Sequence, residues 1–325
     1  MSTVIDEVRD VLTSSAQPGM VIPRIMVASN GEAGSDGAVA TAARLLESAR
    51  ARITLVGVVE PGKGTRSRSG GVPWTDSDLA SARCELTERL LVQLARISPR
   101  FVDWGVEVRE GDPATVLSCF AQDPDVRLIV AGLGHHDSAD HRFGAETALR
   151  TLRLSCRPVL AVPESFDRLP RRAIVATDFS DHSLNAAREG LSLFPSLIHV
   201  DFVHVAPTTE LDLAAIHRWM APSGTDPASK LEDVRRRIGV HAGITFRTTA
   251  LTGESSLEIL RFAKSSGADL IVAGSRGAGL AQRIIVGSTA SRLVRETPCA
   301  LLAVPAAMKR PWSRLPSSAA QYFRS

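Results

Sequence analysis

The pentapeptide Leu-Ile-Val-Ala-Gly at residues 128–132 recurs unchanged at residues 270–274, which is 142 residues later. A second segment, Leu-Ala-Val-Pro at residues 160–163, recurs at 302–305 with the same offset. Each pentapeptide is a short apolar run that ends at a glycine, a pattern typical of a buried strand followed by a turn. A repeat over so long an interval indicates two copies of one domain rather than a solenoid of small units.

The two copies also match at their front ends. Residues 25–30, Ile-Met-Val-Ala-Ser-Asn, pair with residues 173–178, Ala-Ile-Val-Ala-Thr-Asp, at an offset of 148. The change in offset is what loops of different length produce. We therefore divide the chain into an N-terminal tail, a first domain, a charged linker containing proline, a second domain and a C-terminal tail: 1–22, 23–163, 164–171, 172–305 and 306–325.

Apolar runs alternate with amphipathic stretches in both copies. In the second copy, strands are expected at 173–177, 200–205, 244–249, 270–273 and 301–304, and helices at 178–193, 229–238, 255–264 and 288–295. The first copy follows the same order, with a longer helix at 79–97. This alternation predicts an α/β fold in which each domain is a five-stranded parallel sheet flanked by helices. Ligands of such sheets bind beyond the carboxyl ends of the strands, so a site is expected just after Thr177, Val205 and Ala273.

The composition is that of an ordinary globular protein. Of 325 residues, 44% are hydrophobic and 22% charged, which argues against a disordered chain. The sequence lacks a long apolar run, and the net charge is only +3, so neither a membrane nor nucleic acid is expected as a partner. Residues 1–10 are polar and acidic, unlike a secretory signal, and we expect a cytoplasmic protein. The widely spaced Cys84, Cys119, Cys156 and Cys299 are expected to be reduced core residues.

One loop of the second copy has the composition of a phosphate-binding site. It reads Gly274-Ser275-Arg276-Gly277, then nine residues, then Gly287-Ser288 at the start of the expected helix. The glycines allow a ligand to approach the backbone, and unpaired N–H groups at a helix start attract an anion. Arg276 and Arg283 lie in the same segment and add positive charge. The spacing is neither that of a P-loop nor that of a dinucleotide fingerprint. The alternative interpretation of the glycines is that they form loop turns and bind no ligand.

Together these motifs resemble the universal stress protein family. The pattern Gly274-x2-Gly277-x9-Gly287-Ser288 is similar to the nucleotide-binding signature of that family. Residues 175–180 resemble its first strand and turn, His204-Val205 the end of its second strand, and residues 297–305 its closing helix and strand. The resemblance covers both halves of the chain. It implies two tandem Rossmann-like domains of the adenine nucleotide alpha hydrolase type.

The resemblance also implies a ligand, ATP with or without Mg or Mn, and a set of residues that hold it. Base and ribose contacts are carried over to Ala176, Asp178 and Val205. Ribose and phosphate contacts are carried over to Ala273, Gly274, Gly277, Gly287, Ser288 and Thr289. A carboxylate suits ribose hydroxyls, and backbone N–H groups suit phosphate. The alternative for Asp178 is a helix N-cap, a position that aspartate favours.

The first copy departs from this pattern. Asn30 replaces Asp178, His135 replaces Gly277, and Phe-Gly-Ala-Glu at 143–146 replaces the Gly-Ser pair. Glu146 is expected to bring negative charge to the helix start that would meet phosphate, so the first copy is expected to bind ATP weakly or not at all. His135, His136, Asp137, Asp140 and His141 lie close together, but their spacing matches no zinc pattern and no metal site is predicted.

Three functions compete. The leading one is an ATP-binding stress-response regulator with no catalytic residues; His204 is expected to be a partly buried, hydrogen-bonded histidine. The second is a ligand-free scaffold, and the third is an enzyme of the same superfamily that hydrolyses nucleotides or transfers adenylate, although no general base or paired carboxylates accompany the loop. Members of the resembled family usually dimerise. We therefore expect the two copies to pair within the chain near strands 159–162 and 301–304, and two chains to form a homodimer.

Overall fold

A computed structural model describes residues 24–48, 51–61, 74–98, 104–134, 139–206, 227–238, 243–275 and 286–306. The first half contains β1 Arg24–Ala28, α1 Asp36–Ser48, β2 Arg52–Val59, α2 Asp76–Ile97, β3 Trp104–Glu110, α3 Pro113–Phe120, β4 Val126–Gly132, α4 Ala139–Leu154 and β5 Val159–Val162. The second contains β6 Arg172–Ala176, α5 Asp181–Leu193, β7 His199–Ala206, α6 Pro227–Ile238, β8 Thr245–Thr252, α7 Ser255–Ser266, β9 Leu270–Gly274, α8 Ser288–Glu296 and β10 Ala300–Val304. Strand and helix alternate as expected. None of the helices in these ranges has the length and apolar composition to span a membrane.

All ten strands belong to one sheet, in the order β3-β2-β1-β4-β5-β10-β9-β6-β7-β8. The five strands of each half are mutually parallel, and the halves join where β5 and β10 pair antiparallel. At this seam Leu160 lies opposite Leu302, with Ala161 opposite Leu301 and Val159 opposite Ala303. Since equivalent residues are 142 apart, exchanging the halves reproduces the same pairing. A pseudo-two-fold axis therefore passes between Leu160 and Leu302, and the expected contact between the final strands is confirmed.

The apolar core is continuous across the seam. One face of the sheet buries a cluster that includes Val130 and Leu160 from the first half and Val272 and Leu302 from the second. The opposite face buries a cluster that likewise draws on both halves. Burial on both faces explains why the strands are uninterrupted apolar runs rather than alternating ones.

Several boundaries differ from the sequence-based expectation for local reasons. Helix α5 begins at Asp181 rather than 178, because Ser180 is its N-cap and accepts a hydrogen bond from the Ser183 amide at 3.3 Å. Helix α2 begins three residues early because Thr75 and Asp78 form a capping box. Strand β8 continues to Thr252, where it still pairs with the end of β7. Capping residues and neighbouring strands thus set the ends of these elements.

The connecting segment is packed against the sheet. Phe166 is buried, and its carbonyl accepts a hydrogen bond from the Thr41 hydroxyl of α1. Arg168 forms a salt bridge of 2.9 Å with Asp269, which also accepts from the Arg171 amide. The connection therefore contacts both halves of the molecule.

The expectation that the cysteines are core residues is wrong for two of them. Cys84 on α2 and Cys156 are exposed, and Cys119 is half-buried. Cys299 is buried, and burial raises the pKa of its thiol to about 12. All four are free thiols. Spacing alone could not separate the exposed cysteines from Cys299, which is buried immediately before β10.

Candidate functional site

A cavity of about 250 Å³ lies in the second half of the molecule, between β6 and β9. The chain order of the strands reverses at this point, because β6 continues toward β7 on one side and β9 toward β10 on the other. Such a switch point leaves a crevice beyond the carboxyl ends of the two strands. The ends of β6, β7 and β9, together with the first turn of α8 and part of α7, form the walls.

The structure brings eight of the nine predicted binding residues together around this cavity: Ala176, Asp178, Val205, Ala273, Gly274, Gly287, Ser288 and Thr289. Gly277, the ninth, lies outside the described residues, as do Arg276 and Arg283. Further lining residues were not predicted: Thr177, Ser183, Val203, His204, Ser255, Ile259, Ser275 and Ala290. Most of them are next to predicted positions or lie at the ends of the same strands. The switch-point rule, applied to every residue at these strand ends, would have predicted them.

One wall of the cavity is the start of α8. Its N-cap, Gly287, offers no side-chain hydrogen bond to the first turn, and that turn contains no acidic residue. The Gly287 amide donates to the Ser275 carbonyl at 2.9 Å, and the Ser275 amide donates to Val304 at 2.8 Å. These bonds hold the helix start against the sheet. The next N–H groups and the positive end of the helix dipole are therefore presented beside the cavity.

The opposite wall contains Asp178. Its Oδ1 accepts from the Ser180 amide at 3.0 Å, an Asx-type turn, so Asp178 supports the loop without being the helix cap. Asn30 at the corresponding place in the first half accepts from the Glu32 amide at 3.1 Å in the same way. The turn requires only an oxygen acceptor. What aspartate adds at this position is negative charge beside the cavity.

Phe179, next to Asp178, has a left-handed backbone with φ of +66°. This conformation is rare for a bulky residue, costs about 1–3 kcal/mol and is concentrated at functional sites. A hydrogen bond from the Phe179 amide to the Thr177 hydroxyl, at 3.0 Å, holds it in place. The phenyl ring contacts the His204 ring, with 4.4 Å between centroids. The strained turn thus fixes an aromatic pair at the edge of the site.

His204 is half-buried and hydrogen-bonded, as expected, but it also lines the cavity. Its Nδ1 lies 2.8 Å from the Thr177 carbonyl, so Nδ1 carries a proton and donates it. Burial lowers the pKa of His204 below its ordinary 6.5; the Thr177 hydrogen bond and the Asp178 charge oppose this shift, and Lys230 adds to it. The folded protein therefore favours a neutral imidazole at this wall.

This lowered pKa predicts how stability depends on pH. Below pH 6.5 the unfolded chain takes up a proton at residue 204 more readily than the folded chain, so the free energy of unfolding falls as the pH falls from 6.5 toward the lower folded pKa. We expect His204→Gln to reduce this fall, measured by urea unfolding at pH 5.5 and 7.5. His182→Gln, at the exposed start of α5, is the matched control. Equal slopes for His204→Gln and wild type would contradict the assignment.

At the corresponding strand end in the first half, another backbone segment lies close to β4. A 3-10 turn, Ala33–Ser35, packs on the end of β4, and the Gly134 amide donates to the Gly34 carbonyl at 3.0 Å. A Cβ added to Gly132, the counterpart of Gly274, would lie 2.6 Å from that carbonyl. The glycine permits a close approach of backbone to backbone here. This arrangement gives a physical reason for the expected loss of nucleotide binding.

The expectation that Glu146 lies at a helix start is wrong. Helix α4 begins at Ala139, so Glu146 lies well inside it, whereas its counterpart Ser288 is the first residue of α8. The Glu146 carboxylate accepts hydrogen bonds from Arg295 of α8 at 2.6 and 2.8 Å, across the seam. An exposed ion pair between the halves, and not repulsion of phosphate at a helix start, is its observed role.

The histidine and aspartate cluster of the first half is not described: residues 135–138 lie outside the described ranges, and so do the side chains of Asp140 and His141. Among the side chains that the structure does describe, no three histidine, cysteine or carboxylate groups are placed to hold a metal ion.

Comparisons with known proteins agree with the duplicated fold. A model of the universal stress protein family matches residues 22–163 and again 170–305. A universal stress protein of Methanocaldococcus jannaschii is 28% identical over 146 residues, covering 42% of this chain and 84% of that protein. One from Synechocystis is 32% identical over 89 residues, covering 27% of this chain and 57% of that protein. The crystal structure of a universal stress protein from Archaeoglobus fulgidus superposes with a TM-score of 0.58 at 19% identity, covering 87% of this chain and 98% of that one.

Proposed function

This chain belongs to the universal stress protein family, and on that premise we propose that its second domain binds an adenine nucleotide, ATP, with or without Mg or Mn. The protein acts as a cytoplasmic stress-response regulator rather than a turnover enzyme, and two chains pair as a homodimer. One observation carries the nucleotide assignment. A single cavity places the carboxylate of Asp178 on one wall and the start of α8, without a side-chain cap, on another.

The chemistry of the walls supports a ligand that is neutral at one end and anionic at the other. A carboxylate accepts hydrogen bonds from the two hydroxyls of a ribose, which a neutral acceptor does less strongly. The first turn of α8 provides N–H donors and partial positive charge for phosphate. Val205, Ile259 and Ala273 give the cavity apolar surface for a base. A nucleotide matches this order of carboxylate, apolar wall and helix start.

The first domain has a different role in this proposal. The turn around Gly34 lies on the end of its strand β4, and its last strand pairs with the last strand of the second domain. We therefore assign the first domain a scaffold role. The ligand-free scaffold, the second candidate function, then applies to the first half of the molecule alone.

The test is calorimetry of wild type and Asp178→Asn with ATP. We expect wild type to bind and Asp178→Asn to bind about tenfold more weakly, because hydrogen bonds to a charged group contribute about 1.5–3 kcal/mol. Asparagine retains the oxygen that the Ser180 amide requires, as Asn30 shows, so the fold is unaffected.

Two controls make the test specific. Against an ATP analogue that lacks both ribose hydroxyls, the difference between wild type and Asp178→Asn should largely vanish. Asn30→Ala changes only the first half and should leave the ATP affinity unchanged. Failure of wild type to bind any adenine nucleotide would overturn the proposal.

A further inference from the structure

The pseudo-two-fold axis makes residues 142 apart equivalent in the helices as well as in the sheet. In the first half Asp112, the N-cap of α3, forms a salt bridge of 2.8 Å with Arg150 of α4. In the second half Glu254, the N-cap of α7, forms a salt bridge of 2.6 Å with Arg292 of α8. Both pairs obey the 142-residue offset, so α4 and α8 have equivalent settings in their domains.

The same symmetry can be applied to the ion pair that crosses the seam. Glu146 of α4 contacts Arg295 of α8 at 2.6 Å. Exchanging the halves converts Glu146 into Ser288 and Arg295 into Arg153. The symmetry therefore predicts that Arg153, in the last turn of α4, faces the first residue of α8 as Arg295 faces Glu146. Arg153 is exposed and forms no salt bridge with any residue that the structure describes.

We propose that Arg153 of the first domain completes the phosphate end of the nucleotide site in the second domain. The inference rests on the proposed function, since it adds a residue to that site. In the first half, the Glu146 carboxylate supplies the anion that Arg295 binds. In the second half, residue 288 is an uncharged serine that lines the cavity. Arg153, the counterpart of Arg295, therefore contacts an anion there only when a phosphate group lies beside Ser288.

The consequence is that both domains form one binding site. The first domain supplies a cation across the seam to the cavity of the second domain. Phosphate bound at Ser288 is then held between α8 and α4, which links nucleotide binding to the contact between the halves. A single domain would lack this cation.

The first test measures affinity for ATP and for adenosine in wild type, Arg153→Gln and Arg295→Gln. We expect Arg153→Gln to weaken ATP binding about tenfold and to leave adenosine binding unchanged, because the lost contact is to phosphate. Arg295→Gln removes the other arginine of the pseudo-symmetric pair and is the matched control; its ATP affinity should stay within about twofold of wild type. Equal ATP affinity of wild type and Arg153→Gln overturns the inference, and so does an equal loss for ATP and adenosine.

A second test asks, without any nucleotide, whether Arg153 lies close to residue 288. Ser288→Glu recreates the Glu146–Arg295 pair on the other side of the axis, so this change should raise the Tm by about 1–3 °C more in the wild-type background than in the Arg153→Gln background. Equal Tm changes in the two backgrounds overturn the placement of Arg153. If this coupling is found but wild type binds no nucleotide, the placement of Arg153 stands, while the proposed function and the phosphate role fail.

Discussion

Ser288→Glu is expected to abolish most ATP binding, with the affinity falling at least 100-fold. The substitution places a carboxylate in the first turn of α8, where the phosphate is proposed to lie, and a like charge against a bound anion costs several kcal/mol. The fold should tolerate the change, since an acidic residue at a helix start is stabilising by about 0.3–1 kcal/mol. The measurement is calorimetry with ATP beside thermal unfolding of the same samples.

Ser288→Gln is the matched control, because glutamine has nearly the volume of glutamate without its charge. We expect it to lose less than about tenfold in affinity, so that most of the effect of Ser288→Glu is assigned to charge. Unchanged ATP affinity in Ser288→Glu would remove α8 from the site. An equal loss in both variants would show that bulk, not charge, matters at this position.

Leu302→Ala is expected to destabilise the whole molecule by about 2–5 kcal/mol, the usual cost of removing a buried leucine side chain. Leu302 is completely buried and lies opposite Leu160 where the two halves pair. The core is continuous on both sides of this seam, so both halves should lose stability together. Urea unfolding followed by circular dichroism measures the loss.

Leu160→Ala and the double variant test whether the seam couples the halves. Residues in contact show interaction energies of about 0.5–3 kcal/mol, whereas distant sites are additive within about 0.3–0.5 kcal/mol. Leu90→Ala is the matched control. Leu90, on α2 beneath β2, is equally buried. Strand β2 is four strands from β10 in the sheet, so the two strands are roughly 19 Å apart. Additive effects of Leu160→Ala and Leu302→Ala would contradict a cooperative seam.

The place of the cavity was predictable because apolar runs mark the strands, and parallel sheets form their crevice beyond the carboxyl ends of the strands. Asp178 and Ser288 are 110 residues apart in the chain. Asp178 nevertheless lies two residues after β6 and Ser288 opens α8, and both line the cavity at the same edge of the sheet. His204 was correctly expected to be hydrogen-bonded, but its place in the cavity wall was missed. Its partner, the Thr177 carbonyl, belongs to a neighbouring strand end, and backbone acceptors leave no mark in a sequence.

Two interpretations failed because they relied on local sequence where packing decides. Glu146 was assigned to a helix start from its alignment with Ser288, but α4 begins at Ala139 and its charge is used by Arg295 of the other half. Cys84 and Cys156 were assigned to the core, yet both are exposed. In each case the deciding contact, or its absence, involves residues far away in the chain.

The amino-acid sequence alone determined the duplication, the alternation of strands and helices, and the edge of the sheet at which the cavity lies, because periodicity and repeats are local properties of the chain. The tertiary structure decided what lies at each of the two equivalent edges. In the first half the carbonyl of Gly34 lies on the end of β4, and in the second half a cavity remains at the corresponding place. That difference depends on how closely two backbone segments approach, a distance that no residue pattern encodes by itself.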